Sequence, residues 1–191
     1  MDATKSSADS HPLIRFRKAS QALYSTQALS EVLTRTIDEL CSALDAQAAS
    51  VALVDKESGK NTLYATGPVA EAISGLRIPS DKGIIGWVIS QGRSLLVNDV
   101  TADERFWPQV DGYSGFQTQS VLCAPLFSGQ QVIGAIEVLN KRQGAFTTED
   151  LNFLEAFGAV VAPTIENARR FHQEQQRRRE VQAQHGPAKD E

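Results

Sequence analysis

Four stretches decide the fold: RIPSDKGIIGWVISQGRSLLVNDV (77–100), DERFWPQVDGYSGFQT (103–118), SVLCAPLFSGQQVIGAIEVLNK (120–141) and AFTTEDLNFLEAFGAVVAPTIENARRF (145–171). They predict, in this order, a helix between short strands, a covering polar loop, a β-hairpin and a long helix. This order builds a pocket with a roof. None of the four stretches supplies a nucleophile with an adjacent base, or a cluster of metal ligands. The pattern therefore favours a domain that binds a molecule and reports it over one that transforms it.

Bulk composition predicts a soluble protein with one main domain. The chain has 191 residues, of which 41% are hydrophobic, and a formal net charge of −4. It therefore has no overall basic field that would attract nucleic acid. No apolar run approaches the roughly 20 residues that a membrane helix needs. The two cysteines, Cys41 and Cys123, lie far apart and form no disulfide framework or metal motif. We therefore expect a cytoplasmic protein without nucleic-acid or membrane partners.

Hydrophobic periodicity changes along the chain and predicts mixed secondary structure. Residues 1–12 are polar and predict disorder, 13–25 have the spacing of an N-terminal helix, and a second helical stripe covers 29–44. Alternation and turn residues then predict strands at 49–55, 61–66, 76–79, 94–100, 120–127 and 131–140, and a helix at 83–91. Helices and strands mix without strict βαβ alternation, which favours an α+β fold.

A long helix is predicted from Thr147 onward. The Thr147 hydroxyl can cap it, with Asp150 at the third helical position, and an apolar stripe continues to Phe171. Pro163 interrupts this stripe and predicts a bend, because proline removes a helical hydrogen bond. Residues 172–191 are polar all round and predict a solvated helical or disordered tail.

The first candidate site is the helix start at Gly83-Ile84-Ile85-Gly86. Free backbone N–H groups and the positive end of the helix dipole suit an anion at such a position, and glycine lets a ligand approach closely. The alternative is a helix packed tightly on the sheet, with glycine needed only for fit. The spacing matches neither GxGxxG nor a phosphate loop, so no nucleotide-binding fingerprint applies.

The second candidate is the polar loop 101–118, which we call the lid. It combines four aromatic residues with a carboxylate and hydroxyls, namely Phe106, Trp107, Tyr113, Phe116, Asp111, Ser114 and Thr118. Rings can stack on a flat ligand while the polar groups orient it. The alternative is an irregular segment that anchors itself through its own aromatic residues. Loops of this length are usually functional when they are ordered, which favours the first interpretation.

A single carboxylate interrupts the apolar strand VIGAIEVLN (132–140). Alternation places Glu137 on one face with Ile133, Ala135 and Leu139. At such a position a carboxylate either meets solvent or points into a cavity, and alternation alone leaves both open.

Asn140 and Lys141 close this strand, and Phe146 and Asp150 open the next helix. Lys141 and Asp150 are close enough along the chain to form an ion pair across the turn. We interpret these four residues as a structural clasp that fixes the turn, not as catalytic groups. A partly buried ion pair contributes modestly, but losing one partner is strongly destabilising.

Groups for metal, haem or covalent chemistry are missing from the predicted pocket. The three histidines, His11, His172 and His185, lie outside it, which disfavours zinc or haem. Cys123 lies in an apolar run and is interpreted as a core residue. We therefore expect no cofactor, no metal and no enzymatic activity.

GIIGWVISQGRSLLVNDV, DERFW, GFQTQSVLCAPLF, VIGAIEVLNK, and FTTED followed by ENARRF together resemble a GAF domain. The resemblance covers most of the chain and predicts the domain at 26–171. It implies a six-stranded antiparallel sheet with helices on both sides, and with the first and last helices packed together on one face.

Within that family the chain looks most like the GAF domains of cyclic-nucleotide phosphodiesterases and related adenylyl cyclases. Their signature is Asn-Lys, then Phe, three residues, then Asp-Glu. Asn140, Lys141, Phe146 and Asp150 match it, whereas Leu151 replaces the final glutamate. The lid sequence DGYSGF also departs from the family pattern, because glycine and tyrosine replace polar residues.

The resemblance also implies a set of ligand-binding residues. The backbone of Ile84 and Ile85 would contact a phosphate, and three lid residues would face base and ribose. Trp107 would line the pocket, with Glu137 on its floor. The full implied set is Ser50, Ile84, Ile85, Trp107, Asp111, Ser114, Thr118 and Glu137.

Two functions follow as expectations. The first is a small-molecule-sensing regulatory domain that binds its ligand, with cyclic AMP and cyclic GMP as candidates, under the lid and signals through the terminal helices to a separate effector protein. The alternative is a dimerisation or scaffold module with an empty pocket. In either case the apolar stripes of the terminal helices predict a homodimer formed through them.

Overall fold

The computed structural model describes residues 26–66 and 69–184. The predicted disorder at 1–12 and helix at 13–25 lie outside the described residues. Those residues form α1 Thr26–Ala43, β1 Ala46–Asp55, β2 Lys60–Ala65, α2 Ala70–Ile73, β3 Arg77–Pro79, α3 Gly83–Gln91, β4 Leu95–Val97, α4 Gln109–Ser114, β5 Val121–Ser128, β6 Gln131–Lys141 and α5 Thr148–Gln184. A 3-10 turn at Val100–Ala102 precedes α4.

The strands form one antiparallel sheet in the order β3-β2-β1-β6-β5-β4. Its two longest strands, β1 and β6, lie at the centre. Gly129 closes the β5–β6 hairpin with a φ of 62°, a conformation that glycine adopts without steric cost. The predicted α+β class and six-stranded antiparallel sheet are confirmed.

Alternation along β6 gives the sheet two buried faces. Ala135 and Leu139 join Cys123 of β5 in a cluster on one face, which we call the pocket side. Ile136 and Val138 are fully buried but lie outside that cluster, because neighbouring residues of a strand point to opposite faces. The sheet is therefore covered on both sides.

Helices provide this cover. On the pocket side, Ile84, Ile85 and Val88 of α3 belong to the same cluster. On the other face, a Cβ atom added at Gly158 of α5 would lie 3.3 Å from Leu126 Cδ2, so α5 packs directly on the strands. The predicted placement of helices on both sides is confirmed.

The start of α5 confirms the predicted cap. The Asp150 N–H donates to Thr147 Oγ1 at 3.2 Å, and the Thr147 N–H donates to Asp150 Oδ2 at 2.9 Å. This reciprocal pair satisfies two of the N–H groups that a helix start leaves without partners. The helix continues past Pro163 to Gln184, so the polar tail is helical as far as the structure describes it.

The described chain divides into two compact units. The residues from Val32 to Glu166 form one unit, which contains the whole sheet. The described parts of the other are 26–31 and 167–184, the outer ends of α1 and α5. The packing of the terminal helices on each other stays a prediction.

The lid differs from the predicted polar loop, because it contains a helix. Pro108 precedes α4, and Gly115 ends it in the left-handed region, donating its N–H to the Asp111 carbonyl. A helix of six residues is too short to produce a periodic pattern in the sequence. The four-residue α2 was missed for the same reason.

The fourth strand is also shorter than predicted, covering Leu95–Val97 instead of 94–100. The Asn98 side chain leaves the sheet, donating to the Phe146 carbonyl and accepting from the Phe146 N–H. Asp99 then caps the 3-10 turn by accepting from the Thr101 N–H. Side-chain hydrogen bonds of this kind compete with strand pairing.

Gly134 lies on β6 opposite Leu53 of β1, where a side chain has no room. A Cβ atom there would lie 2.2 Å from the Ala52 carbonyl oxygen. We expect Gly134→Ala to lower the free energy of unfolding by about 2–3 kcal/mol, because the backbone must shift. Urea denaturation measures this change. Gly112→Ala is the matched control, since its Cβ would have no neighbour within 4 Å. Equal stability of the two variants would show that the strands are not packed this tightly.

Candidate functional site

A cavity of about 60 Å³ lies between the pocket side of the sheet, α3 and the lid. Its lining is mostly apolar, with a lysine and a few polar groups from the lid and floor: Leu63, Val69, Ile73, Ile78, Lys82, Gly83, Ile84, Ile85, Phe106, Trp107, Val110, Asp111, Ser114, Phe116, Thr118, Val121, Glu137 and Leu139. Seven of the eight residues expected to bind a ligand are in this lining, and Ser50 is not. The volume is about that of two water molecules.

The two glycines at the start of α3 have different roles. A Cβ atom at Gly86 would lie 2.9 Å from the Ser80 carbonyl oxygen, so this glycine is needed for fit, although against the turn before α3 and not against the sheet, as the structural alternative had it. Gly83 has a φ of 75°, which disfavours other residues, and lies beside Trp107. The helix has no side-chain cap, and Ile84 and Ile85 contribute to the cavity wall.

Glu137 forms the floor and is mostly buried, which decides between the two environments left open by alternation. Its Oε1 accepts a hydrogen bond of 2.6 Å from the Ser50 hydroxyl, and Ser50 lies opposite it on β1. Ser50 is fully buried and outside the cavity lining. It therefore influences the site only by holding the Glu137 carboxyl group.

Burial raises the pKa of Glu137 from 4.5 to about 7. The Ser50 hydrogen bond opposes this change, and the negative charge of Asp111 adds to it. Cys123 lies opposite Glu137 on β5, where burial, with a contribution from the Glu137 charge, raises the pKa of the thiol well above its usual range. The thiol is fully buried, as expected for a core residue.

Three of the four lid aromatics, Phe106, Trp107 and Phe116, pack against the pocket-side cluster. The side chain of Tyr113 is 65% exposed and faces away from it. The lid therefore anchors itself through its own rings, and the same rings help to enclose the cavity. This packing agrees with the self-anchoring interpretation of the lid, and the stacking of its rings on a ligand stays a prediction.

The polar groups of the lid bond mainly to one another. Asp111 accepts from the Thr118 N–H and from the Thr118 hydroxyl, both at 2.7 Å. The Ser114 hydroxyl donates to the carbonyls of Val110 and Asp111 and accepts from the Phe116 N–H. The carboxylate and hydroxyls expected to face a ligand are thus already satisfied within the lid.

Asn140 holds the end of the lid to the sheet. It has a φ of 56°, an orientation that asparagine tolerates better than most residues. Its side chain accepts from the N–H groups of Gln119 and Ser120 and donates to the Gln117 carbonyl. Asn140 therefore fixes the chain on both sides of Thr118.

The rest of the clasp has the geometry that the sequence predicted. Lys141 forms an ion pair with Asp150, and its ammonium lies 5.7 Å from the ring centre of buried Phe146. Burial opposes ionisation of Asp150, but hydrogen bonds from Lys141 and Thr147 hold its pKa below the usual value. The clasp thus joins the end of β6 to the start of α5.

Sequence reasoning missed two polar features of the site. Lys82 lines the cavity just before α3, and its position before GIIG was the available signal. Arg105 is bound to Asp103 and lies 4.8 Å over the Trp87 ring. This arrangement ties the first part of the lid to α3, and no local pattern predicted it.

Within 26–66 and 69–184, no three His, Cys, Asp or Glu side chains are grouped in a way that could hold a metal ion. Among the same residues, no helix is long and apolar enough to span a membrane.

Comparison with known proteins places this geometry in a family. A family model described as "GAF domain" matches residues 28–165. The chain is 29% identical over 156 residues to a probable 3',5'-cyclic phosphodiesterase, pde-5, of Caenorhabditis elegans, covering 75% of this chain and 21% of that protein. It is 30% identical over 144 residues to the dual 3',5'-cyclic-AMP and -GMP phosphodiesterase 11A of Takifugu rubripes, covering 69% of this chain and 16% of that protein.

A solved structure agrees on the fold. The GAF domain of a phosphoenolpyruvate-protein phosphotransferase from Coxiella burnetii superposes with a TM-score of 0.66 at 23% identity, covering 85% of this chain and 97% of that one. The present chain spans only 21% and 16% of the two phosphodiesterases, so the similarity concerns one domain of those enzymes. The family model matches most of this chain, and the sheet and the clasp fit that match. This chain belongs to the GAF domain family.

Proposed function

We propose that this chain is a regulatory domain that binds a small molecule in the cavity under the lid, with cyclic GMP and cyclic AMP as the leading candidates. One observation carries the proposal. The cavity is lined by Ile84 and Ile85 from an uncapped helix start, by lid aromatics and by Glu137. Backbone N–H groups suit a phosphate, rings suit a flat base, and a carboxylate suits N–H or hydroxyl donors.

The similarity to cyclic-nucleotide phosphodiesterases supports the same class of ligand. Lys82, in the cavity lining, adds a positive charge that favours an anionic group. The cavity of about 60 Å³ is far below the roughly 300–1,000 Å³ typical of ligand pockets. Binding therefore requires the lid to move outward, and this movement is the change that we expect to be signalled.

A thermal-shift titration of the full chain tests this function. We expect either cyclic GMP or cyclic AMP to raise the melting temperature saturably, by about 5–10 °C at 100 times the Kd, because binding stabilises only the folded state. The acyclic monophosphates GMP and AMP test whether the cyclic ester is recognised.

Two lid variants make a matched pair for this titration. Trp107→Ala removes a ring that lines the cavity and should reduce the shift at least several-fold. Tyr113→Ala removes an exposed ring of the same lid and should leave it unchanged. If all four nucleotides leave the melting temperature of the wild-type chain unchanged, a nucleotide ligand is ruled out.

The second candidate function is a homodimeric scaffold with an empty cavity. Phe153 and Val160 of α5 are 43% and 75% exposed, and Phe153 stacks on Phe157 with ring centres 6.1 Å apart. An exposed apolar stripe on a terminal helix suits a homodimer. Sedimentation velocity of Val160→Glu tests the dimer, which should dissociate if it forms through this stripe. The thermal-shift titration separates the two functions, because a scaffold with an empty cavity predicts no nucleotide-dependent stabilisation.

A further inference from the structure

We propose that Asp111 and Thr118 are a positioning pair that latches the lid over the cavity, so that a ligand enters only after their hydrogen bonds break. This inference rests on the proposed function only in treating the cavity as a ligand site. The latch itself is a property of the unliganded chain.

The first observation is that both oxygens of the Asp111 carboxylate accept a hydrogen bond inside the lid. Its Oδ1 accepts from the Thr118 hydroxyl and its Oδ2 from the Thr118 N–H, both at 2.7 Å. Such charge-assisted bonds are stronger than neutral ones. Moving Asp111 outward with α4 would break both of these bonds.

The second observation is the unequal anchoring of the lid. The Thr118 end is fixed to the sheet, because Asn140 binds the backbone of Gln117 and Gln119 on either side of it. Asp111 lies on α4, which buries none of its residues. Within 106–118, the remaining side-chain hydrogen bonds are those of Ser114, and they stay inside α4 and the turn after it. The pair is therefore the side-chain connection between α4 and the fixed Thr118 end of the lid.

The third observation is that the cavity is small and that the closed lid keeps two carboxylates near each other. The cavity of about 60 Å³ admits no nucleotide, so entry requires opening. The latch also keeps the Asp111 charge near Glu137, which is a like charge when ionised. When a binding-competent state is rare, the apparent affinity falls in proportion to its population. The strength of the latch then sets how often the site is open.

Hydrogen exchange of the unliganded full chain, read by mass spectrometry, tests the latch directly. Thr118→Val keeps the shape of the side chain and removes the bond to Oδ1. We expect exchange in 106–117 to become about tenfold faster, the size expected for one lost charge-assisted bond. Exchange in β5 and β6 should stay unchanged, which shows that the fold is intact. Ser114→Ala is the matched control, because its hydroxyl bonds stay within α4 and its turn.

Two results would overturn the latch. One is unchanged lid exchange in Thr118→Val, and the other is an equal acceleration in Ser114→Ala. Stopped-flow binding of cyclic GMP gives a second readout: the latch predicts a faster association rate constant in Thr118→Val, whereas a ligand contact alone would change only dissociation. Failure of cyclic GMP to bind any variant would count against the proposed ligand and leave the exchange result to decide the latch.

Discussion

Asn140→Ala is expected to lower the free energy of unfolding by about 4 kcal/mol, the largest loss that we predict for a single substitution. The buried amide accepts from the N–H groups of Gln119 and Ser120 and donates to the Gln117 carbonyl and to the Gln47 side chain. Truncation leaves three backbone groups without partners, at about 1–3 kcal/mol each before water compensates. Alanine also tolerates the φ of 56° less well, by about 1 kcal/mol.

Two further variants separate these causes in urea denaturation. Asn140→Gly loses the same hydrogen bonds but relieves the backbone strain, so its free energy of unfolding should be about 1 kcal/mol higher than that of Asn140→Ala. Asn61→Ala removes an equally buried asparagine. In the wild type, the Asn61 side chain makes a single hydrogen bond of 3.5 Å, to the Ser80 carbonyl, and its Oδ1 has no partner. A loss in Asn140→Ala no larger than in Asn61→Ala would contradict the anchoring role.

Glu137→Gln is expected to make the unliganded chain about 3 kcal/mol more stable than the wild type at pH 8, with little difference near pH 4.5. Burial raises the pKa of Glu137 from 4.5 to about 7, so the folded state binds more protons than the unfolded state between these values. Stability contributed by this group is therefore present in full below pH 4.5 and falls as the pH rises through 7. Glutamine stays neutral, keeps an acceptor for Ser50 and avoids the loss.

The measurement is the difference in unfolding free energy between Glu137→Gln and wild type at several pH values from 4.5 to 8. Asp111, the other carboxylate lining the cavity, and Lys82, also in the lining, are present in both proteins. Glu155→Gln, an exposed carboxylate on α5, should give a flat difference. A flat difference for Glu137→Gln as well would mean that the carboxyl group is solvated.

Local patterns predicted the parts of the fold whose contacts are close in sequence. The capping box of Thr147 and Asp150, the helix at 83–91 and the hairpin at Gly129 each depend on a few neighbouring residues. The Lys141–Asp150 ion pair joins residues nine positions apart, which is close enough for the sequence to predict it. Alternation placed Glu137 on the correct face, but it carried no information about the depth of burial.

What the sequence could not predict depends on distant partners. Asn140 anchors the lid through hydrogen bonds to residues more than 19 positions away, including Gln47 on another strand. The pairing of Asp111 with Thr118 depends on α4, which is too short to leave a periodic signal. The small volume of the cavity depends on how the rings of Phe106, Trp107 and Phe116 pack inward, and sequence spacing does not determine such packing.

An amide NMR titration of the full chain with cyclic GMP and cyclic AMP tests most directly whether the cavity under the lid is a small-molecule site. Binding there predicts saturable shifts at the amides of Ile84 and Ile85 on the uncapped helix start and at Thr118 in the latch, with no change at the exposed Lys56 in the turn between β1 and β2. No shift with either nucleotide, or shifts confined to residues outside the cavity lining, would contradict a cyclic-nucleotide site under the lid.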